Sequence, residues 1–173
     1  MKKIIIALLF TSSLFAQIKF DEYFENKTLR FDFFHTGNRF NETISFDRLI
    51  EEGEWSGNPK NLIDPFNYGY YLLKVFSVKD NKLIYSKGFS TLYQEWQTTE
   101  ESKNVTKSFS GSVLIPYPKE KIKLEIDRRD KKNIFQKIFE MEINPQNYFI
   151  VKEKIAPYKS FKVHYSGESS KKL

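Results

Sequence analysis

The chain has 173 residues, a formal net charge of +6, 17 Phe, 10 Tyr and no cysteine. Without cysteine there is no disulfide framework and no thiol nucleophile, so stability must come from a packed core, for which the aromatic side chains supply the material. The positive charge is mild and interspersed with acids, which argues against a nucleic-acid partner, because phosphate binding uses a broad one-signed surface.

The first segment is "MKKIIIALLFTSSLFA", Met1 to Ala16. Two lysines, an apolar run and a small residue form the layout of a secretory signal peptide. The run is short of the roughly 20 apolar residues that a bilayer span needs. No cysteine follows it to carry a lipid. The expectation is an exported protein, periplasmic or extracellular, with no stable membrane anchor. Residues 17–151 are then expected to form one domain. Residues 152–173 are expected to hold a final strand, Phe161 to Tyr165, and a polar connector.

Through the domain, apolar residues alternate with polar ones, the mark of half-buried strands. In "TLRFDFFHTG", Leu29, Phe31 and Phe33 share a face. "SFDRLIEEG", Ser45 to Gly53, places Phe46, Leu49 and Ile50 at helical spacing, so a short helical turn is expected there. "YYLLKVFSV" and "LIYSKGF" flank "KDNK", a hairpin whose Asp80-Asn81 pair suits a tight turn. In "FSTLYQEWQTTEESK" a short helix is expected, with Thr98 as N-cap and Glu101 closing a capping box. "SFSGSVLIPYP" reads as a strand with Phe109, Gly111, Val113 and Ile115 on one face, ended by Pro116 and Pro118. "KIKLEID" points Ile122, Leu124 and Ile126 inward. "DRRDKK", Asp127 to Lys132, reads as a solvated turn. "NIFQKIFEMEI" fits a strand with Phe135, Phe139, Met141 and Ile143 on one side, closed by Asn144-Pro145. Short strands between turns predict an all-β fold, an antiparallel β-sandwich (immunoglobulin-like or jelly-roll-like) with one or two short helical turns. Leu29, Phe31, Phe33, Val75, Val113, Leu124 and Ile126 are its expected core.

The sequence carries few signs of reaction chemistry. The chain has two histidines, His35 and His164, and no H-E-x-x-H pair on one helical face. It has no G-x-S-x-G elbow, no P-loop and no dinucleotide fingerprint. His35, where a strand meets a turn, reads as a surface histidine. Glu95, Glu100 and Glu101 beside Trp96 could form the paired carboxylates of a glycosidase, but Glu101 already has its capping task. No catalytic, cofactor-binding or metal residue is assigned, and no cofactor is expected. Trp55, Tyr68, Tyr93 and Trp96 are the candidates for a stacking surface that binds a glycan or protein.

Five consecutive blocks carry a family resemblance: "FDEYFENKTLRFDFFHTGN", "SFDRLIEEGEWSGNPKNLIDPFNYGYY", "LIYSKGFSTLYQEWQTTEESK", "TKSFSGSVLIPYP" and "DRRDKKNIFQKIFEMEINPQNYFI". Together, from about Phe20 to Ile150, they resemble the N-terminal domain of the IgA peptidase-like zinc metallopeptidases, metallopeptidase family sixty-four, of Gram-negative bacteria. The resemblance implies an all-β domain ahead of a zinc peptidase domain that carries H-E-x-x-H. None of that family's catalytic residues maps onto this chain, and "FKVHYSGESSKKL" is similar to the connector into the peptidase domain. The expectation is a non-catalytic accessory domain, a truncated product or isolated module. Its partner would be a zinc peptidase domain, or a protein or glycoprotein substrate. The alternative is a stand-alone secreted binder of glycans or proteins.

Overall fold

The computed structural model describes residues 18–153 and Gly167. The signal-like segment and the expected strand at Phe161 to Tyr165 lie outside the described residues. A one-turn helix α1 (Phe20–Tyr23) leads into β1 (Phe24–Gly37), β2 (Glu42–Glu52), β3 (Tyr71–Ser77) and β4 (Leu83–Phe89). Helix α2 (Leu92–Trp96) and a 3-10 turn at Glu101–Lys103 follow, then β5 (Lys107–Pro118), β6 (Ile122–Arg129), β7 (Phe135–Ile143) and β8 (Val151–Lys152). The strands form two four-stranded sheets, in the orders β5-β1-β2-β8 and β4-β3-β6-β7. All pairings are antiparallel except β2 with β8. The fold is an all-β sandwich.

The core lies between the sheets. Leu29, Phe31 and Phe33 from β1, Val113 and Ile115 from β5, Leu73 and Val75 from β3, and Leu124 and Ile126 from β6 are all buried. Every residue of the expected core is among them. The β3–β4 hairpin turns where the sequence placed it, with Asn81 in the left-handed region at φ 53°, a conformation that Asn tolerates.

Two expectations need correction, and both have the same kind of cause. Ser45 to Gly53 contains no helical turn; it belongs to β2. A β-bulge interrupts the pairing, because Asp32 faces Arg48 while Phe33 faces Phe46, leaving Asp47 without a partner. The extra residue puts Phe46 and Leu49, three apart, opposite Phe33 and Phe31 on one face. A bulged strand thus imitates helical spacing. The expected single face of Phe135, Phe139, Met141 and Ile143 fails for the same reason: Ile126 faces Phe139 and Asp127 faces Lys137, so Ile138 is the bulged residue and Phe135, opposite Arg129, falls on the other face.

Pro116 and Pro118 do not end β5, which runs through both and pairs them with Thr28 and Phe24. Hydrogen-bond direction explains why. The Thr28 N–H reaches the Gly53 carbonyl (2.9 Å) on the β2 side, and the Glu51 carbonyl accepts from Glu153 beyond β2 (3.1 Å). Directions alternate along antiparallel strands, so even-numbered residues of β1 face β2 and odd-numbered ones face β5. The odd residues of β5 are their partners. Pro116 and Pro118, both even, turn their missing N–H groups to the outer edge, where no ladder bond is lost.

Leu124 has no exposed surface and sits on a central strand. Leu124→Ala should lower the unfolding free energy by about 2–5 kcal/mol, whereas Phe40→Ala, at a residue 72% exposed in the β1–β2 turn, should change it by less than about 0.5 kcal/mol. Urea denaturation of the two variants checks this.

Candidate functional site

Alternation along β1 continues one step past the phenylalanines, and that step buries His35, which is 1% exposed. Its surface reading is therefore corrected. The inward face of β1 runs through Leu29, Phe31, Phe33 and His35, a signal that was present in the sequence. Opposite it, at the start of β2, lies Glu42, whose side chain is 2% exposed. A buried carboxylate is costly unless its oxygens are bonded, and this one has three donors. His35 Nε2 and the Tyr71 hydroxyl each lie 2.8 Å from Glu42 Oε2, and Arg128 Nη1 lies 2.5 Å from Oε1. Because a carboxylate can only accept, Nε2 of His35 carries the proton. His35 and Glu42 come from one sheet; Tyr71 (β3) and Arg128 (β6) come from the other. The carboxylate therefore bridges the two sheets at one end of the sandwich.

The bridge extends into α2. Thr91 caps that helix, its Oγ1 accepting the Gln94 N–H, and the same atom lies 3.4 Å from His35 Nδ1. Tyr93 stacks on the His35 ring at a centroid distance of 3.9 Å and donates its hydroxyl to the carbonyls of Asn38 and Asn41 (2.8 and 2.9 Å). Gly37, at φ 155°, passes so close that an added Cβ would lie 2.1 Å from the Asn41 carbonyl oxygen and 2.5 Å from the Tyr93 hydroxyl. Burial pushes the Tyr93 hydroxyl up to about 12. Burial alone would also raise the Glu42 carboxyl, but the bonds from His35, Arg128 and Tyr71 outweigh it and hold the group below its ordinary value.

The four expected surface aromatics separate. Tyr93 is fully buried, and Trp96 is 9% exposed. Trp96 packs on Phe109 of β5 (5.5 Å) and donates its indole N–H to Glu101 (2.7 Å). Trp55 is half-buried, edge-on to Tyr85. Tyr68 is 74% exposed and stacks on Phe66, which is 57% exposed. These residues do not form one platform. Thr98 is not an N-cap either: it follows α2 and donates to the Glu95 carbonyl (2.7 Å). Glu101 receives Trp96 and Lys107 (2.7 Å) in place of a capping contact. The run Asp127 to Lys132 is only partly a turn. Asp127 is buried and paired with Lys74 (2.8 Å), Arg128 holds Glu42, and Arg129 holds the carbonyls of Asn67 and Gly69.

Thr91, His35 and Glu42 follow the order hydroxyl, imidazole, carboxylate of a nucleophilic relay. The geometry does not support that use. The hydroxyl serves as a helix cap at 3.4 Å from the ring, the imidazole is sealed, and none of the clefts described below is lined by any of the three. Among the described residues, no three of His, Asp and Glu are grouped to hold a metal ion. The zinc implied by the resemblance therefore finds no fitting ligand set in this region. Glu95 and Glu100 are exposed, and Glu100 pairs with Lys103.

The open side of the sandwich is where β4 and β5 end their sheets. There, two adjoining clefts of about 420 and 630 Å³ share Trp55 as a wall. Fold and site together define an antiparallel β-sandwich domain whose buried polar centre is structural and whose accessible features are clefts and aromatic side chains. The family model described as Peptidase M64 N-terminus matches residues 19–140, and the chain belongs to that family. No curated protein matches the chain.

The unfolded Glu42 titrates near 4.5 and the folded one lower. Its contribution to stability is therefore complete above about 4.5 and disappears as pH falls through the folded value. Glu42→Gln leaves Arg128 against a neutral amide and should cost about 2–4 kcal/mol at neutral pH. It should also flatten the loss of stability below about pH 4.5. Urea unfolding of both proteins from neutral pH into the acid range measures both effects.

Proposed function

We propose that this domain is a non-catalytic accessory module of an exported IgA peptidase-like zinc metallopeptidase, which positions the peptidase domain or engages a protein or glycoprotein substrate. The observation that carries this reading is the match of residues 19–140 to the N-terminal family of a peptidase. The disposition of the polar groups supports it, since the histidine and carboxylate at the centre are bonded to one another and to both sheets. The chain's contribution would then be made through its surface. The purified protein supplied with zinc should leave casein and IgA uncleaved over prolonged incubation. Cleavage that a chelator abolishes would overturn the reading.

A second reading, a stand-alone binder of glycans or proteins, draws on the exposed stacked pair Phe66 and Tyr68. The loop holding that pair is fixed: Asp64 accepts the N–H groups of Phe66, Asn67 and Gly88 at 2.9–3.0 Å. On this reading the protein is retained on a glycan array, and Tyr68→Ala removes retention while unfolding at the wild-type temperature. Absence of any retention removes the glycan form of this reading.

A further inference from the structure

Sheet edges invite pairing with other chains, and proteins guard them with lysine, proline, bulges or covering loops. Among the described residues, three of the four terminal edges are guarded. The β4 edge is roofed by the loop between β2 and β3: the Ser86 N–H donates to the Leu62 carbonyl (2.9 Å) and the Gly88 N–H to Asp64 Oδ2 (2.9 Å). The β7 edge carries the bulge at Ile138 and the side chain of Lys137. β8 is two residues long. β5 differs. Between Lys107 and Pro116 it has no charged residue, no proline and no bulge. By the alternation derived above, the N–H and C=O groups of Ser108, Ser110, Ser112 and Leu114 point away from β1, and all four residues are exposed.

Beside this edge lies the cleft of about 420 Å³, in which the apolar Trp55, Leu73, Phe89 and Val113 sit alongside the polar Ser90 and Lys87. Past Trp55 it meets the second cleft, lined by Ile63, Phe66 and Tyr85. The Trp55 indole N–H, at the shared wall, is buried without a hydrogen-bond partner. An outward ladder of backbone groups next to a cleft with an aromatic and aliphatic wall is the arrangement that captures an extended peptide: the main chain supplies the bonds, and alternate side chains fill the cleft.

We propose that the edge of β5, Ser108 to Leu114, which is open among the described residues, binds an extended polypeptide segment of another protein, apolar at alternate positions, by adding it as a fifth strand, with the segment's inward side chains entering the Trp55 cleft. A second copy of the chain is the poorer occupant. If its β5 paired with this one, its inward-facing Val113 and Ile115 would already be packed in their own core, and its Phe109 against Trp96, and could not fill the cleft. The proposal rests on the accessory reading, because it names how such a domain would grip a polypeptide.

Hydrogen exchange of the full chain, with and without reduced, carboxymethylated lactalbumin as an unfolded probe, tests it. In the free protein the amides of Gly111 and Val113, bonded to β1, exchange slowly, and those of Ser110, Ser112 and Leu114 exchange fast. Saturating probe should slow exchange at Ser110, Ser112 and Leu114. Ser112→Pro removes one outward N–H and repeats what Pro116 and Pro118 already do, so it should weaken binding about tenfold, the worth of one hydrogen bond, with the unfolding temperature little changed. Probe binding with protection confined to other residues overturns the edge and leaves the accessory reading standing. Protection that grows with protein concentration in the absence of probe assigns the edge to a second copy and overturns the proposal, as does wild-type affinity in Ser112→Pro. Should that variant fold poorly, the wild-type exchange pattern alone decides.

Discussion

The structure depends on a single buried carboxylate with donors from both sheets. The Glu42 side chain keeps only 2% of its surface exposed, and its negative charge is tolerable only because His35, Tyr71 and Arg128 converge on it. Such convergence fixes more than charge. It sets the ring orientation of His35, which in turn provides the surface for Tyr93, and Tyr93 holds the β1–β2 turn through two carbonyls. Helix α2, the turn and four strands therefore meet at one end. The opposite end is held by apolar packing among Phe24, Tyr117, Ile122 and Ile143, which is non-directional. A hydrophobic core gives the sandwich its cohesion, while the carboxylate specifies how the sheets are placed at its end.

Much of the fold was legible because strand alternation is a strong signal where one face is buried. Leu29, Phe31 and Phe33, and Leu124 with Ile126, needed no more than that. Misreadings arose where the period was broken or stopped too early. The bulge at Asp47 made β2 imitate a helix. The alternation of Leu29, Phe31 and Phe33 in β1 extends one step further, to the buried His35. Pro116 and Pro118 read as terminators because a sequence does not show which way an N–H points. Pairing direction does, and it places both prolines harmlessly on the outer edge.

The central cluster was less legible, for a physical reason. His35 and Glu42 are seven residues apart across a hairpin, but Tyr71 and Arg128 reach them only through the packing of the second sheet. Arg128 in particular lay within a charged run that read as a solvated turn, although its backbone is the last part of β6. The surface aromatics show the converse. Tyr93 and Trp96 are as aromatic as Tyr68, and composition cannot separate those that stack within the fold from the one that stacks in solvent. Family membership was the most legible property, since ordered blocks along the chain preserve it without any knowledge of the contacts.

Function follows from what these constraints leave free. The histidine and carboxylate at the centre are bonded to one another and to both sheets, which leaves the open side of the sandwich, with its clefts and the β5 edge, for the contacts proposed above. Glu42 is ionised in the folded protein and holds both sheets in that state. The direct measurement is the ¹³C chemical-shift titration of the Glu42 side-chain carboxyl by NMR. The account predicts an apparent pKa below the ordinary 4.5, with the His35 and Tyr71 ring signals moving in the same transition. A Glu42 carboxyl that titrates above 4.5, or one whose titration leaves the Tyr71 and His35 signals unmoved, would contradict it.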